Sequence, residues 1–537
     1  MCERSRGAGG RSAGPAPLCQ GRAVSDSGQP HVVVIGGGIA GLAAAFFLRE
    51  ARCRVTVLEG SPRTGGKLRV SEVAGIAVDE GAEALLARRP EGTGLAAAAG
   101  LADRLVWPGT TVARIWSRGR MCPLPRRQVL GVPADLAELA GTGLVSESGM
   151  TRARQDLGLP ATGRDGDVPV AAFVAARFGA EVVDRMVDPL LAAVYAGRSG
   201  ELSFDATLPA LAAESRKHAS LAEAATAVLA RGGDPPEPPA GLPARFLRHR
   251  AGAPLARGGD PPEPPAGPPA RDGDPGGTAP PPVFTTLAGG LGTLPAAVAA
   301  ASGATVRSGA VVRGLARAAT GWRLTVGSRH DEEYLAADAV ILAVPASPAA
   351  RLLGGVPGAS AAVAALQEIR YASMAIVTLA YPAGAFPRPL EGSGYLVPAV
   401  DGRPVKAVTF STVKWPHLAG AGAGPVIVRC SLGRIGEEAL LQRDDGELSG
   451  LAAADLAAAT GARGAPLAAR VTRWGGGLPQ YTVGHLDRVA RIRSAVAAQP
   501  GLAVCGAAYD GIGIPACVAT ARGAATQITA HLEHARQ

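Results

Sequence analysis

Three glycines near the start of the chain have a spacing suited to binding phosphate groups. Gly36, Gly38 and Gly41 form the pattern G-x-G-x-x-G directly after the apolar run 32–35. The first glycine permits a tight turn, the second lets the backbone approach a pyrophosphate, and the third lets a helix pack on the preceding strand. Glu59, 18 residues after Gly41, can accept hydrogen bonds from ribose hydroxyls. The pattern predicts a dinucleotide site; the alternative is a glycine-rich turn that binds no nucleotide.

A basic loop with two adjacent glycines follows this acidic residue. Arg63, Gly65 and Gly66 form R-x-G-G, and Lys67 comes next. Two glycines let the chain fold back over a dinucleotide while Arg63 or Lys67 stays near its negative charge. The pattern resembles that of the flavin oxidases, which include amine oxidases and porphyrinogen oxidases. It therefore favours FAD over NAD, an ordinary basic loop being the alternative.

A second glycine-rich segment lies near the end of the chain. Residues 505–515 read CGAAYDGIGIP and lead into a helix predicted to begin near Ala516. The N-terminus of such a helix, directed at the flavin ring, would stabilise the negative charge of reduced flavin. Small residues there would let the backbone lie against the ring. Because this segment returns from the far end of the chain, the pattern predicts a discontinuous cofactor domain.

The elements that must position these motifs can be read from apolar patterning. A strand ending at Ile35, a helix over 39–49 and a strand over 54–58 make a βαβ unit. The region 133–230 has mostly helical periodicity. Short apolar or alternating runs predict further strands at 305–306, 322–326, 339–344, 405–410, 426–432 and 502–505. The alternating runs at 405–410 and 426–432 indicate a second, mixed or antiparallel sheet.

Composition excludes several classes of protein. The chain has 537 residues, 47% of them hydrophobic and 18% charged, which is ample for a large core. Its net charge of +9 comes from arginines spread along the sequence, so we expect no nucleic-acid partner. None of the seven cysteines forms a C-x-x-C pair, so we expect a reducing compartment, no disulfide framework and no metal site. No apolar run reaches the roughly 18 residues of a membrane-spanning helix.

Two regions have the composition of disordered segments. Residues 1–30 are rich in Arg, Ser and Gly and are predicted to be a disordered extension, an organellar transit peptide being the alternative. The stretch ARGGDPPEPPAG occurs at 230–241 and again at 256–267. Half of the segment 231–282 is Pro or Gly, so it cannot bury enough apolar surface to order itself. We predict a disordered insertion; a docking arm for a partner is the alternative.

Longer stretches of the chain resemble one branch of the porphyrinogen oxidases. They are VIGGGIAGLAAAFFL, TVLEGSPRTGGKLR, VDEGAEALLARRPE, VDPLLAAVYAG, KAVTFSTVKWPHL, LPQYTVGHLDRV and YDGIGIPACVATARGAA. Together they are similar to the oxygen-dependent coproporphyrinogen III oxidases (coproporphyrin-forming) of actinobacterial type, in the flavin amine oxidase superfamily. The resemblance runs from residue 31 to 530 apart from the insertion. Its C-terminal YDG-x-GIP-x-C motif is more specific than G-x-G-x-x-G.

The resemblance implies an α/β fold with three parts. They are a discontinuous Rossmann-like FAD-binding domain, a mixed-sheet substrate domain and a helical subdomain. The implied boundaries are the extension 1–30, FAD-binding parts at 31–96, 203–230, 283–350 and 470–537, the helical/substrate subdomain 97–202, the insertion 231–282 and the substrate domain 351–469.

The resemblance also implies the residues of the site. Noncovalent FAD would contact Gly36, Gly37, Gly38, Ile39, Ala40, Gly41, Glu59, Gly60, Lys67, Gly81, Ala82, Glu83, Ala84, Val312, Trp474, Ile512, Gly513 and Ile514. Arg114 would meet a substrate propionate, a solvated strand arginine being the alternative. Lys406 and Lys414 lie in or beside the implied substrate domain. No catalytic side chain is assigned, because the flavin carries the chemistry.

The implied reaction is the oxidation of coproporphyrinogen III to coproporphyrin III in haem biosynthesis. Oxygen would be the acceptor and hydrogen peroxide the by-product, in the cytoplasm or peripherally at the inner face of the membrane. Three alternatives remain: a protoporphyrinogen IX oxidase, a flavin amine oxidase, and a catalytically idle flavoprotein that delivers porphyrin to a ferrochelatase-like enzyme. The C-terminal segment argues against an amine oxidase, since those enzymes usually carry a pair of aromatic residues there.

Overall fold

The computed structural model describes residues 28–161, 163–164, 166–232, 283–419 and 424–536. Most of the predicted N-terminal extension 1–30, namely residues 1–27, lies outside the described residues. So does nearly all of the predicted insertion 231–282, namely residues 233–282. The predictions for these two regions therefore remain predictions.

A five-stranded parallel sheet forms the centre of the cofactor-binding part. Its strands are, in spatial order, Thr305–Arg307, Arg54–Leu58, His31–Ile35, Ala339–Leu342 and Leu502–Val504. The apolar run in the central strand is buried on both faces, as parallel sheets require. Val32 and Val34 pack on one face, and Val33 and Ile35 on the other.

Helices cover both faces of this parallel sheet. The first face carries Ile39–Phe47, Pro90–Ala98, Leu294–Ser302 and the long C-terminal helix Ile514–His534. The opposite face carries Ala346–Leu353, Ser360–Gln367, His485–Ala497 and a three-stranded antiparallel sheet of Val312–Arg317, Trp322–Ser328 and Asp331–Ala337. The predicted βαβ unit is present, with the helix ending at Phe47 and the C-terminal helix beginning at Ile514.

A seven-stranded mixed sheet is the second large sheet of the protein. Its spatial order is Ala468–Pro479, Tyr371–Tyr381, Val426–Leu432, Val405–Phe410, Gly394–Leu396, Ala113–Ser117 and Arg120–Pro123. Helix Asp445–Thr460 packs on one face and begins with a capping box between Asp444 and Glu447. Shorter strand pairs or triplets are formed by Val70–Val73 with Ile76–Asp79, by Leu85–Leu86, Phe284–Leu287 and Leu105–Val106, and by Gln128–Val129 with Val132–Pro133.

The third part is a cluster of short helices. Its members are Leu136–Thr142, Glu147–Arg154, Val170–Phe178, Ala180–Val182, the π-helical turn Val183–Val187, Asp188–Tyr195, Phe204–Thr207, Pro209–Glu214 and Leu221–Ala230. A buried ion pair between Arg177 Nε and Asp156, 2.5 Å apart, joins several of them. The hydroxyl of Ser220 donates to the same carboxylate at 2.6 Å.

Two segments pack differently from their sequence assignments. The segment 203–230 was assigned to the cofactor domain, yet Phe204, Leu211 and Val228 are buried in the helical core because the apolar faces of these helices meet their helical neighbours. The start of the assigned substrate domain, 351–369, packs on the parallel sheet. The α/β class and the mixed second sheet are confirmed. Within the described residues no helix combines the length and apolar character needed to cross a membrane.

Candidate cofactor-binding site

The glycine loop joins the central parallel strand to helix Ile39–Phe47. Gly36 has a φ of 109°, and a Cβ there would lie 2.5 Å from the carbonyl oxygen of Ala343. A Cβ on Gly41 would lie 1.9 Å from the carbonyl oxygen of Gly36, so glycine alone lets the helix begin this close to the strand. In contrast, among the described residues no atom beyond Gly38 and its two chain neighbours lies within 4 Å of the Cβ position of Gly38. This open space leaves room for a phosphate against the backbone.

Glu59 is fixed by two backbone amides at the end of strand Arg54–Leu58. The amide of Gly37 donates to Oε2 at 2.7 Å, and the amide of Ser61 donates to Oε1 at 2.7 Å. These bonds hold the carboxylate beside the glycine loop. Each oxygen keeps a second lone pair, with which it can accept a hydrogen bond from a ribose hydroxyl.

The start of the three-stranded antiparallel sheet lies beside Glu59. The amide of Ala310 donates to the carbonyl oxygen of Glu59 at 2.8 Å. The side chain of Val311 lies 3.5 Å from the Cβ position of Gly60. The structure therefore brings half-buried Val312, predicted as a cofactor contact, next to the end of the second parallel strand.

The basic loop folds back onto the glycine loop. The amide of Gly65 donates to the carbonyl oxygen of Gly37 at 2.8 Å. Arg63 uses its guanidinium on the loop itself, donating from Nη2 to the carbonyl oxygen of Gly66 at 2.9 Å. Lys67 has no hydrogen-bond or ion-pair partner among the described residues. Burial lowers the pKa of Lys67, and an anion bound beside it would raise that pKa again.

The predicted segment 81–84 is tied to the seven-stranded sheet by charge. Lys414 Nζ donates to Oε1 of Glu83 at 2.8 Å, and Arg429 donates to Oε2. Arg429 also donates from Nη2 to the carbonyl oxygen of Gly81 at 2.6 Å. Burial alone would raise the pKa of Glu83, but Lys414 and Arg429 outweigh it and lower that pKa to about 2. In the same segment, the side chain of Ala82 is exposed and that of Ala84 is half-buried.

Trp474 joins the long edge strand of that sheet to the residue just before this segment. Its indole Nε1 donates to the carbonyl oxygen of Glu80 at 2.9 Å. The Glu80 carboxylate accepts from Thr472 at 3.2 Å and pairs with Arg69 at 3.0 Å. Trp474 is thereby held beside Gly81, where the sequence analysis predicted a flavin contact.

The C-terminal glycine-rich segment forms a turn that precedes helix Ile514–His534. The amide of Gly506 donates to the hydroxyl of Thr520 at 3.0 Å, which fastens the turn to the helix it precedes. Ile512 packs against the helical cluster, and Ile514 packs in the core on the first face of the parallel sheet. Gly513 is the N-cap of the helix and is exposed to solvent.

Two helix N-termini without side-chain caps lie together at the carboxyl ends of the parallel strands. Helices Ile39–Phe47 and Ile514–His534 both have a glycine N-cap and no acidic residue in the first turn. They pack on the same sheet face, with the Sγ of Cys505 4.0 Å from the carbonyl oxygen of Ala40. Unpaired amides and helix dipoles favour an anion there. Lys67 has no partner in the described part of the chain, and with the open space at Gly38 these residues fit a bound dinucleotide.

The three basic residues considered for substrate carboxylates each have a different partner within the protein. Arg114 lies on strand Ala113–Ser117 and pairs with exposed Glu391 at 2.9 Å. Lys406 is buried and donates to the carbonyl oxygen of Gly433. Burial, and to a smaller extent the charge of neighbouring Arg434, lower the pKa of Lys406 to about 7. Lys414, as described above, is engaged with Glu83.

Several residues of the site were missed from the sequence. Arg429 occupies an ordinary alternating strand, where nothing marks its pairing with Glu83. Tyr481 and His485 contact the C-terminal turn through its backbone, which leaves no trace in residue types. None of the eight histidines lies in the glycine-rich motifs, so those motifs predict no histidine in the site. His485 nevertheless lies in the stretch LPQYTVGHLDRV that the resemblance had marked.

Comparisons with known proteins agree with this geometry. The family model described as flavin containing amine oxidoreductase matches residues 39–529. The coproporphyrinogen III oxidase of Propionibacterium freudenreichii subsp. freudenreichii is 37% identical, with 94% of this chain and 91% of that protein covered. The enzyme of the same name from Mycobacterium bovis is 36% identical, with 93% and 97% covered.

A solved structure shows the same architecture along nearly the whole chain. The crystal structure of an Exiguobacterium sp. 255-15 protein assigned as a protoporphyrinogen oxidase superposes with a TM-score of 0.74. It is 28% identical and covers 94% of this chain and 99% of its own. The chain therefore belongs to the flavin containing amine oxidoreductase family, in the group formed by the coproporphyrinogen III oxidases.

Proposed function

We propose that the protein is an FAD-dependent oxidase that converts coproporphyrinogen III to coproporphyrin III. The observation that carries the proposal is the 36–37% identity to coproporphyrinogen III oxidases over more than nine-tenths of both chains. The open glycine loop, the two uncapped helix N-termini and the unpaired Lys67 support a bound FAD. We place the reaction in the cytoplasm, with molecular oxygen as acceptor and a ferrochelatase-like enzyme as the consumer of the product.

The cofactor supplies the redox chemistry, and the chain supplies position and charge. Bound FAD would supply the hydride acceptor for three two-electron oxidations of the macrocycle's methylene bridges, with oxygen as the final acceptor and hydrogen peroxide as by-product. The backbone of the glycine loop would hold the pyrophosphate of the dinucleotide, and Glu59 would hold a ribose. The N-terminus of helix Ile514–His534 and the ammonium of Lys67 stabilise negative charge at the site.

The Glu83 network gives the two halves of the site a fixed relation. Glu83 comes from the cofactor-binding part, whereas Lys414 and Arg429 come from the seven-stranded sheet. Charge-assisted hydrogen bonds of this kind are geometrically selective. We propose that this network orients the substrate sheet over the site, so that a methylene bridge meets the cofactor in a defined pose.

Substrate choice rests on the number of carboxylates. Coproporphyrinogen III carries four propionates where protoporphyrinogen IX carries two, and a buried unpaired carboxylate is costly. We propose a higher kcat/KM for coproporphyrinogen III, with measurable oxidation of protoporphyrinogen IX because the hydride chemistry is the same. Arg114 is the proposed propionate partner, exchanging its exposed pairing with Glu391 for the substrate.

A competition assay tests the proposal directly. Purified protein is given both porphyrinogens at equal concentration in air, and the two fluorescent porphyrins and hydrogen peroxide are quantified. Coproporphyrin should predominate, and Arg114→Ala should raise KM more for the tetracarboxylate, with Glu391→Gln as the control. Predominant protoporphyrin would replace the substrate assignment. Flavin binding without oxygen uptake on either porphyrinogen would favour the idle delivery protein.

A further inference from the structure

The hydroxyl of Tyr481 closes the turn that precedes the C-terminal helix. Tyr481 follows the long edge strand Ala468–Pro479, and its side chain is 1% exposed. Its hydroxyl donates to the carbonyl oxygen of Ala507 at 2.7 Å and accepts from the amide of Gly511 at 2.8 Å. One side-chain atom therefore satisfies a partly buried acceptor and a partly buried donor at opposite ends of the same turn.

His485 holds the middle of this turn. Its ring stacks on that of Tyr481, with centroids 3.8 Å apart and planes at 13°. Nε2 lies 3.0 Å from the carbonyl oxygen of Tyr509. A carbonyl oxygen only accepts, so Nε2 must carry the proton and the ring has a fixed tautomer. Burial, opposed by this hydrogen bond, lowers the pKa of His485 to about 4, so the ring is neutral at pH 7.

The segment 481–485, which carries both side chains, is anchored in the helical cluster through its backbone. The carbonyl oxygen of Tyr481 accepts from the amide of Ser203 at 2.8 Å. The amide of Gly484 donates to the carboxylate of Asp167 at 2.8 Å. Side chains of 481–485 thus contact the turn, while their backbone contacts the helical cluster. The segment is a rigid connection between the two.

We propose that Tyr481 and His485 are positioning residues that fix the 507–511 turn, and with it the N-terminus of helix Ile514–His534, relative to bound FAD. The inference deepens the proposed function and depends on it only through FAD. Neither side chain needs to touch the cofactor. Their effect is to keep the helix dipole in place, which stabilises the negative charge of the reduced cofactor.

Two matched hydroxyl deletions test the proposal in the full-length protein. Tyr481→Phe removes the bridging hydroxyl and leaves the Ala507 carbonyl and the Gly511 amide without partners. Tyr395→Phe, on strand Gly394–Leu396 and outside the turn, is the control, because the buried Tyr395 hydroxyl has no partner in the part of the chain that the structure describes. The readouts are the Kd of the apoprotein for FAD, the visible spectrum and midpoint potential of the bound flavin, and the Tm of the apoprotein.

Tyr481→Phe should weaken FAD binding by roughly tenfold, since both ends of the turn lose the hydrogen bond that holds them. It should also make the flavin potential more negative and shift the flavin absorption, while Tyr395→Phe changes none of these. A lower apoprotein Tm with wild-type affinity, spectrum and potential would make Tyr481 merely structural and overturn the proposal. Equal effects of the two variants would overturn it as well.

His485 provides an independent second test. His485→Gln keeps a side-chain N–H that can reach the Tyr509 carbonyl and should restore FAD affinity to within about threefold of wild type, because the donor is retained. His485→Leu should lose affinity and shift the potential as Tyr481→Phe does. Failure of Gln to exceed Leu would contradict the positioning role. Wild-type protein that binds no FAD would overturn the proposed function itself, an outcome distinguishable from all of these.

Discussion

The two helix N-termini of the candidate site have similar ends and different supports. The one at Gly38 is held by bonds within a single stretch of chain, because Gly37 is fixed by Glu59 and by Gly65. The one at Gly513 follows a turn held by Tyr481 and His485, which belong to a separate segment. A local support leaves a spacing pattern in the sequence. A distant support, which uses backbone atoms of the turn, does not.

The contact between Gly41 and Gly36 in the glycine loop is the part of this local structure that tolerates substitution least. Gly41→Ala would place a Cβ 1.9 Å from the carbonyl oxygen of Gly36. Neither backbone can move without separating helix from strand, so we expect a loss of more than about 3 kcal/mol in the free energy of unfolding. Chemical denaturation of the apoprotein measures it. A variant of wild-type stability would mean that this support is not rigid.

The opposite expectation holds three residues earlier. Gly38→Val adds a Cβ where the described residues leave open space, so the fold should persist while FAD affinity falls by about a hundredfold or more, as the phosphate position is blocked. Equilibrium dialysis with FAD and the Tm of the apoprotein separate the two effects. Gly523→Ala, at an equally open but remote helical position, should bind FAD normally. Unimpaired FAD binding by Gly38→Val would contradict the site.

The Glu83 network extends the comparison to the substrate sheet. Glu83→Gln leaves the cations of Lys414 and Arg429 without their counter-charge, which should cost about 3 kcal/mol of stability. Glu391→Gln breaks the exposed pair with Arg114 and should cost about 1 kcal/mol or less. Denaturant unfolding of both variants tests the contrast. Equal losses of unfolding free energy in the two variants would show that the buried network contributes no more stability than the exposed pair.

The same network predicts a pH dependence of stability. The pKa of Glu83 is lowered from 4.5 to about 2 in the folded protein, so the ionised carboxylate stabilises the fold above pH 4.5. That contribution is lost as the pH falls from 4.5 towards 2. The difference in unfolding free energy between wild type and Glu83→Gln should therefore shrink over this range. A difference independent of pH would show that Glu83 is not held ionised.

The smallest effect is expected at the insertion. The carbonyl oxygen of Gly232 accepts from Arg88 at 3.0 Å, and that of Val283 accepts from the amide of Ala87 at 2.9 Å. Both ends of the insertion thus contact adjacent residues, and a short Gly/Ser bridge can replace residues 233–282. Because loop length changes closure entropy only slowly, stability should change by about 1 kcal/mol or less. A large loss of Tm or turnover would show that the insertion is structural.

The sequence by itself determined the βαβ unit and the family. Gly36, Gly38, Gly41 and Glu59 lie within one short stretch, so their spacing alone encodes strand, turn, helix and acid. The stretches similar to coproporphyrinogen III oxidases pointed to the same relatives that the comparisons found. The apolar run of the central strand likewise predicted burial on both faces of a parallel sheet.

Only the tertiary structure decided how the distant segments meet. The packing of 203–230 on the helical cluster, the pairing of Arg429 with Glu83 and the hydrogen bonds from Tyr481 to the C-terminal turn each join residues far apart in the chain. Charges and hydroxyls have no periodicity that names their partners. Those partners are set by which apolar faces pack together, and the folded core alone fixes that choice.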